Sequence, residues 1–379
     1  MKVEMKTFGE FATFRYGKMP IKNKISEHGK YPVFSGYRNV GFYDEFNTTA
    51  NTLVIVARGV GGTGDVKLTK ERCYLTNLSI AVSIDELVAL PEYLYYYFSA
   101  NSLRYLDSGS AQSQITINDL SKVLIPIPAV EDQRRICLIL HTLDEKIALN
   151  TQMNDNLLQQ AQSIYHSWFV DYGPFGDKKP SNWMDGTITD LAKEIICGKT
   201  PSTKKSEYYG KDIPFITIPD MHGKVYTVTT ERYLSALGVK SQPGKVLCKN
   251  SVCVSCIGTA GLVTLVATTS QTNQQINSII PKDGYSPYYI YLLMQTLSET
   301  INKLGQSGST IVNLNKAQFS KIKVIIPPVE VMKSLDNILM PIFELILAHQ
   351  KENIRLASLR DALLPRLMSG ELNIKDMDI

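Results

Sequence analysis

Residues 108–131 read SGSAQSQITINDLSKVLIPIPAVE, and residues 307–330 read SGSTIVNLNKAQFSKIKVIIPPVE. The two stretches align without a gap at an offset of 199 residues, from Ser108 and Ser307 onward. Solenoid repeats have periods of roughly 20–50 residues, so an offset this long indicates a duplicated domain instead. The shared register continues into a long helical pattern after each copy, which predicts that a helix was duplicated together with the domain.

The first copy leads into a predicted helix over residues 131–169. Its apolar residues recur at alternating spacings of four and three, which is the heptad pattern of a helix that packs along a narrow seam. At about 1.5 Å per residue this helix would be roughly 58 Å long. Pro128 precedes it, and Gly173 and Pro174 follow it. The seam residues are Ile136, Leu140, Leu143, Ile147, Asn150, Asn154, Leu157, Ala161, Ile164 and Trp168.

The same seam recurs 199 residues later, near the C-terminus. His349 and Asn353 match Asn150 and Asn154, and polar seam residues can fix the register of paired helices. We expect the two helices to pack antiparallel against each other, because the domain between them must return the chain. The alternative is that each helix packs only on its own domain. Pro341 and Pro365 are expected to kink or end the second helix. The second seam consists of Leu335, Leu339, Ile342, Ile346, His349, Asn353, Leu356, Arg360, Leu363 and Leu367.

The globular halves also match, but the offset varies from 181 residues at Gly17 and Gly198 to 199 residues at Asn51 and Asn250. Shared elements separated by loops of different length are typical of a constant scaffold whose binding specificity varies. Each half is predicted to open with a short helix, at residues 8–17 and 188–197. Strands follow, then a helix rich in Tyr and Leu, and then a final strand.

The predicted fold class is α+β. Two similar globular domains, residues 1–130 and 173–328, are joined by two long antiparallel coiled-coil helices, in residues 131–172 and 329–379. A pseudo-twofold internal repeat relates the halves.

The net charge of +4 is unevenly distributed. Lys and Arg exceed Asp and Glu by two in residues 1–130 and by seven in residues 173–328, whereas the two helical segments are acidic, by three and by two. Positive charge therefore lies in the globular domains, where a polyanion could be held.

No apolar run approaches the roughly 18–20 residues that a membrane span needs, and the N-terminus has no apolar signal core. The six cysteines form no matching framework in the two halves. We therefore expect reduced thiols, a cytoplasmic location and no membrane partner.

One glycine-rich stretch, Gly59–Gly64 (GVGGTG), fits the dinucleotide-binding pattern GxGxxG. That site requires a helix next, whose N-terminus holds the pyrophosphate. The following residues, Asp65–Tyr74, read as a strand instead, and the equivalent segment at Gly258–Gly261 has lost the pattern. A glycine hairpin is the favoured interpretation.

Cys248, Cys253 and Cys256 have the spacing of some iron–sulfur ligands. Cys253 and Cys256 should face opposite sides of one strand, so apolar packing is favoured. The histidines show no zinc spacing, and no P-loop is present. We therefore expect no catalytic site, no metal site and no cofactor in this chain.

The candidate DNA contacts are Lys and Arg residues in segments that differ between the halves. Phosphates are contacted by Lys and Arg, and base edges by Arg, Lys, Asn or Gln. The candidates are Lys18, Lys22, Lys24, Arg38 and Arg58 in the first domain and Lys199, Lys204, Lys205, Lys211 and Lys224 in the second. Any one of them taken alone is equally well explained as a solvated surface charge.

Several motifs together resemble those of type I restriction–modification specificity subunits. They are Ile125–Pro128 (IPIP), Glu131–Ile136 (EDQRRI), Ser167–Phe175 (SWFVDYGPF), Gly198–Ser202 (GKTPS) and Leu363–Leu372 (LLPRLMSGEL). The resemblance covers the whole chain. The first domain departs from it locally, with Met19 where the second has Thr200.

The resemblance implies two target-recognition domains that each read one half of a split, asymmetric sequence in double-stranded DNA. It implies paired helices that measure the unread spacer and dock two methyltransferase subunits, which methylate adenine N6 with S-adenosylmethionine. Restriction subunits that use ATP and Mg²⁺ would join through them, and the chain itself would be non-catalytic. Two alternatives stay open at this point. The chain could be a stand-alone DNA-binding or regulatory protein, or a self-contained restriction or methylating enzyme with an unrecognised site.

Overall fold

The computed structural model describes residues 3–21, 24–36, 38–59, 62–107, 113–306 and 312–372. The chain forms two compact units, one of Met1–Lys146 with Arg355–Ile379 and the other of Ile147–Ile354. Each unit contains one globular domain and a part of both long helices. The division of the chain into four segments stays a prediction, since the compact units group the residues differently.

The globular domain of the first unit combines three small sheets with short helices. The sheet orders are β2-β8-β5-β6, β4-β3-β7 and β1-β9; β3 and β7 run parallel, and the other pairs of named strands run antiparallel. Its elements are β1 (Val3–Thr7), α1 (Phe8–Phe11), β2 (Ala12–Tyr16), β3 (Tyr31–Ser35), β4 (Arg38–Tyr43), β5 (Leu53–Val56), β6 (Val66–Leu68), β7 (Tyr74–Leu75), β8 (Ser79–Ile84), α2 (Pro91–Ala100), α3 (Ile117–Ser121) and β9 (Leu124–Pro128), followed by the long helix α4 (Val130–Phe169).

The second unit repeats this order with additions. Its sheets are β11-β18-β15-β16-β13, β14-β12-β17 and β10-β19, and β12 and β17 are parallel like β3 and β7. Its elements are β10 (Met184–Thr187), α5 (Ile188–Leu191), β11 (Ala192–Cys197), β12 (Tyr209–Ile216), α6 (Ile218–Met221), β13 (Tyr226–Thr227), β14 (Arg232–Leu234), α7 (Ala236–Lys240), β15 (Val252–Ser255), β16 (Val263–Val266), β17 (Gln271–Thr272), β18 (Ile276–Pro281), α8 (Pro287–Thr296), α9 (Ser298–Gly305), α10 (Lys316–Ser320) and β19 (Lys323–Ile326), followed by the long helix α11 (Val329–Met368). The predicted α+β duplication is confirmed.

Alternating residues of the central strands build the core of each domain. Leu53 and Ile55 of β5 are fully buried in the main core with Tyr93 of α2, whereas Val54 between them joins a smaller cluster on the other face. In the second domain, Cys253 and Cys256 likewise lie in different clusters. This is the consequence of a side-chain period of two along a strand. The two cysteines therefore face apart, as predicted.

The short opening helices were predicted too long. Only four residues are helical in each, Phe8–Phe11 and Ile188–Leu191, and the chain then becomes β2 or β11. Capping boxes on Thr7 and Thr187 start these helices. The following residues pair along β8 and β18, and this long-range pairing outweighs any local helical preference.

The glycine-rich stretch lies between two strands that pair with each other. Strands β5 and β6 are antiparallel neighbours, and the N–H of Gly64 donates to the carbonyl of Val56 at 2.9 Å. A strand follows the glycines, although it covers only Val66–Leu68 of the predicted Asp65–Tyr74. The helix that a dinucleotide site requires is therefore not formed there. Val60 and Gly61 lie outside the described residues.

The long helices α4 and α11 each contain 40 residues. Neither Pro341 nor Pro365 ends α11, which continues to Met368. None of the helices among the described residues combines the length and the apolar character that crossing a membrane requires.

Candidate nucleic-acid interface

Both domains carry a Gly-Lys turn directly after the strand that follows the short opening helix, β2 or β11. Here a side chain on the glycine would collide with backbone. A Cβ on Gly17 would lie 2.3 Å from the carbonyl oxygens of Leu75 and Thr76, and one on Gly198 would lie 2.2 Å from that of Asn273. Glycine is therefore required for this close approach in both halves.

The main chain of this turn is fixed in the same way in each domain. The N–H of Lys18 donates to the carbonyl of Leu75 at 3.0 Å, and the N–H of Lys199 donates to that of Thr272 at 2.9 Å. Both lysine side chains are exposed. The repeat thus presents one exposed lysine at an equivalent, rigid position of each domain.

The glycine-rich hairpin also has the same neighbour in each domain. Isolated bridges join Arg58 to Gln114 and Ile257 to Asn313, and both pairs keep the offset of 199. Arg58 is half-buried, and its Nε has no hydrogen-bond partner among the described residues. A buried guanidinium nitrogen without a hydrogen-bond partner costs free energy, and an acceptor such as a phosphate oxygen would recover it.

The remaining candidates of the first domain are dispersed. Lys24 and Arg38 are exposed, in a loop and at the start of β4, and Arg38 has interactions of its own within the protein. Lys22 lies outside the described residues. The first five residues of each quoted repeat, 108–112 and 307–311, also lie outside them.

In the second domain most candidates are close together along the chain. Lys199, Lys204 and Lys211 are exposed, and no carboxylate within the described parts of the chain forms an ion pair with them. The Nζ of Lys205 donates to the hydroxyl of Tyr208 at 3.2 Å, and this hydrogen bond raises the pKa of Lys205. These four cations suit phosphate contacts, which need charge rather than elaborate geometry.

Lys224 is different from the other candidates of its domain. It is half-buried and lines a cleft of about 780 Å³ between the second domain and the long helices, together with Asp155 of α4 and Gln350 of α11. The structure therefore does not group it with the Gly-Lys turn.

A network of amides that fixes the second Gly-Lys turn was not anticipated. Gln242 Nε2 donates to the carbonyl of Lys199 at 2.7 Å and to Gln271 Oε1 at 2.8 Å. Thr200 Oγ1 donates to Gln274 Oε1 at 2.6 Å. The polar run from residue 270 to residue 277 was the feature of the sequence that could have indicated this network. A sequence does not show which of these amides are buried.

The apolar seam residues of the long helices contact both a globular core and the other helix. Within the first unit, Ile136 and Leu140 share a core with Leu367, and within the second, Leu339 shares one with Ala161. Of the predicted apolar seam residues, Ile136, Leu140, Leu335, Leu339 and Ile346 are buried, and Leu143, Ile147, Leu157, Ile342 and Leu356 are half-buried.

The polar seam residues pair across the two helices. Asn150 Nδ2 donates to Asn353 Oδ1 at 2.9 Å, and His349 Nδ1 lies 2.9 Å from Asn154 Oδ1. Numbers rise along α4 as they fall along α11, so the predicted antiparallel pairing is confirmed. The alternative that each helix packs only on its own domain is wrong, although each helix also contacts a globular core.

The buried thiols are poorly suited to chemistry. Burial raises the pKa of Cys253 to about 12 and that of Cys256 to about 11, so both stay protonated at neutral pH. Over the described ranges of the chain, no three His, Cys, Asp or Glu side chains come together as metal ligands would.

Comparisons with known proteins agree with this picture. The family described as "Type I restriction modification DNA specificity domain" matches residues 1–159 and 180–356. The HindI specificity subunit of Haemophilus influenzae is 34% identical over 359 residues, covering 75% of this chain and 78% of that protein. The MjaIX specificity subunit of Methanocaldococcus jannaschii is 25% identical, covering 76% and 70%.

The fold is shared with a solved structure as well. The crystal structure of a type I restriction–modification S subunit from M. genitalium matches with a TM-score of 0.71 at 18% identity, covering 97% of this chain and 96% of that one. The family match spans well over half of the sequence and falls on both halves of the duplication. The chain therefore belongs to the family of type I restriction–modification DNA specificity subunits.

Proposed function

We propose that each globular domain reads one half of a bipartite, asymmetric site in double-stranded DNA. The observation that carries this proposal is the Gly-Lys turn, which recurs with the same backbone contacts in both domains. Two equivalent rigid turns with exposed lysines suit two separate contacts on one polyanion. The loops around them differ in length and sequence, so the two half-sequences would differ as well.

The paired helices act as the spacer between the two reading domains. The cross-helix contacts of Asn150 and Asn154 fix the register of α4 against α11, and a fixed register gives a fixed length. The number of unread base pairs between the half-sequences then follows from the protein and not from the DNA.

The helices also offer a surface for partner subunits. Ile338, Leu345 and Leu359 of α11 are 40–46% exposed, and spacings of multiples of seven place them on one helical face. Exposed apolar stripes of this kind suit an amphipathic partner helix. The partners we propose are two methyltransferase subunits and, through them, restriction subunits.

The chain contributes recognition in this proposal, and its partners contribute the chemistry. Relatives in this family are generally non-catalytic. S-adenosylmethionine would be used by the methyltransferase subunits for adenine N6 methylation, and ATP with Mg²⁺ by the restriction subunits. The complex would act in the cytoplasm, where the free cysteines of this chain stay reduced.

Methylome sequencing of a host that expresses the complete system tests the proposal. The expected result is N6-methyladenine within one bipartite motif of constant spacer. Exchanging residues 198–249 for the same region of another specificity subunit should change one half-sequence only. A chain that methylates or cuts DNA without partners, or a continuous motif without a spacer, would contradict the proposal.

A further inference from the structure

The second domain contains a segment with no counterpart in the first. Between the matched positions Pro32/Pro214 and Asn51/Asn250, the offset rises from 182 to 199 residues. The added chain includes α6 and β13. We call Ile218–Thr227 the brace, because it reaches from the sheet of the second domain to the long helix α11.

The brace is an integral part of the sheet. Strand β13 runs parallel to β16 and adds a fifth strand, with Tyr226 beside Leu265. The N–H of Leu265 donates to the carbonyl of Val225 at 2.8 Å. In the first domain the equivalent strand, β6, is the last strand of a four-stranded sheet within the described residues.

The brace is bonded to α11. The backbone N–H of Tyr226 donates to Oε1 of Gln350 at 3.1 Å. The side chain of Tyr226 is 1% exposed and lies in the same core as Phe343 and Ile346 of α11. Gln350 follows His349, which is hydrogen-bonded to Asn154 of α4. The bond between Tyr226 and Gln350 therefore joins the brace to the helix pair beside its polar seam.

Helix α8 provides a second attachment of the same domain to α11. The ring of Tyr288 stacks on Phe343 with centroids 4.6 Å apart, and Tyr291 meets the same ring edge-on at 5.5 Å. Phe343 and Gln350 are seven residues apart, which is about 10.5 Å along a helix. With the hydrogen bond that Ser286 donates to Asp336 of α11, these attachments hold the domain against the helix over about two turns on either side of Phe343. Gln350 is the attachment at the end nearest the polar seam.

The first domain has the counterpart of the α8 attachment, and it is also bonded to α4 through Gln133, whose amide meets the backbone of Val88 and Leu90. Among its described residues it has no counterpart of the brace. The residue that matches Phe343 is Asp144, which accepts a hydrogen bond from the hydroxyl of Tyr96 in α2 at 2.8 Å. The residue that matches Gln350 is Thr151, whose hydroxyl oxygen lies 3.2 Å from Asn353 Nδ2 and so takes part in a contact between the helices. The attachment at Gln350 is therefore a property of the second domain.

The cleft of about 780 Å³ lies between the brace and α4. Met221 and residues 223–226 line one side of it, and Thr151, Asn154, Asp155 and Leu158 line the other. This open volume leaves the domain room to tilt toward α4 once the bond at Gln350 is lost.

We propose that the brace, through Gln350, fixes the tilt of the second domain on the helix pair and so restricts the chain to one spacer length. The inference rests on the proposed function, because a spacer exists only in a bipartite site. Gln350 is a positioning residue here, and the brace itself reads no bases.

The purified full-length chain tests this by selection from a pool of random duplex DNA, followed by sequencing of the bound duplexes. Gln350→Ala removes the acceptor for the Tyr226 N–H. One neutral hydrogen bond corresponds to about a 3- to 10-fold effect, so we expect spacers one base pair longer or shorter to be enriched by that factor. Both half-sequences should stay unchanged.

Two further variants separate this effect from a general loss of structure. Gln350→Glu keeps an acceptor oxygen and should retain the wild-type spacer distribution. Gln160→Ala makes the same side-chain change at an exposed position of α4 and should also behave like the wild type. Hydrogen exchange at the amide of Tyr226 should accelerate in Gln350→Ala only.

A spacer distribution in Gln350→Ala as narrow as that of the wild type, with a bipartite motif present in both, would overturn the brace and leave the proposed function standing. A changed half-sequence would overturn it as well, because the residue would then act on base recognition. Selection of no bipartite motif by the wild-type chain would overturn both proposals.

Discussion

Replacing Gly198 with alanine should destabilise the second domain and displace Lys199. The new Cβ would lie 2.2 Å from the carbonyl oxygen of Asn273 and 2.3 Å from Thr272 Oγ1. The turn can relieve this only by moving away from the β17–β18 connection. That movement stretches the bonds from Gly198 to Ile276 at 3.1 Å and from Lys199 to Thr272 at 2.9 Å.

The expected loss follows from these contacts. Overpacking a rigid site costs about 1–3 kcal/mol, and each weakened hydrogen bond costs about 1 kcal/mol. With two bonds weakened, we expect the free energy of unfolding to fall by about 3–5 kcal/mol. Gly17→Ala makes the same collision with Leu75 and Thr76 in the first domain and should cost a similar amount.

Urea unfolding followed by tryptophan fluorescence measures this effect in the appropriate unit. The chain has two tryptophans, and both, Trp168 and Trp183, lie in the core around the second domain. Gly244→Ala is the matched control, because no atom lies within 4 Å of its added Cβ and its φ is −74°. That variant should stay within about 0.5 kcal/mol of the wild type. Equal unfolding midpoints for Gly198→Ala, Gly244→Ala and the wild type would refute the argument from close approach.

Three other substitutions test the charges. Lys199→Ala should reduce the slope of log binding constant against log salt by about 1, whereas Lys303→Ala, whose partner is Glu299, should leave the slope unchanged. Asp144→Ala removes the partner of Arg360 at 2.7 Å and of the Tyr96 hydroxyl at 2.8 Å; both charged groups are about 30% exposed, so urea unfolding should show a loss of about 1–2 kcal/mol. Burial raises the pKa of Asp336, so its charged form is disfavoured in the folded chain, and the wild type loses stability as pH rises above the carboxyl's unfolded pKa. Asp336→Asn should therefore gain stability relative to the wild type between about pH 3 and pH 7. A difference in unfolding free energy between the two proteins that stays constant over this pH range would contradict this.

The helix pairing was predictable because it depends on periodicity. Heptad spacing identifies the face that must be buried, and the coincidence of two polar positions after a shift of 199 residues identifies the register. The observed contacts of Asn150 with Asn353 and of Asn154 with His349 follow from that pattern.

The opening helices and Pro341 were predicted less well, because their states depend on distant partners. Residues 12–16 form a strand since β8 offers a complete ladder. Pro341 lies inside a helix of 40 residues, where packing of neighbours such as Leu339 and Phe343 offsets the missing hydrogen bond. Local propensity includes neither the strand pairing with β8 nor the packing around Pro341.

The DNA-contact candidates show the same limit. Sequence selected Lys199 as a basic residue in a segment that differs between the halves, and the structure fixes its main chain by a hydrogen bond to Thr272. Sequence also included Lys224, which lies in the cleft beside the long helices. The charge of a lysine is known from its identity, whereas the surface that it occupies is set by the path of the folded chain.

The amino-acid sequence by itself determined the duplication, the antiparallel helices and the basic character of the two domains, because repeats, heptads and charge are properties of residue order. The tertiary structure alone decided that the second domain is tied to α11 at both Phe343 and Gln350. That second tie depends on a two-residue strand, Tyr226–Thr227, which is too short to have a pattern of its own and forms only because β16 offers a free edge.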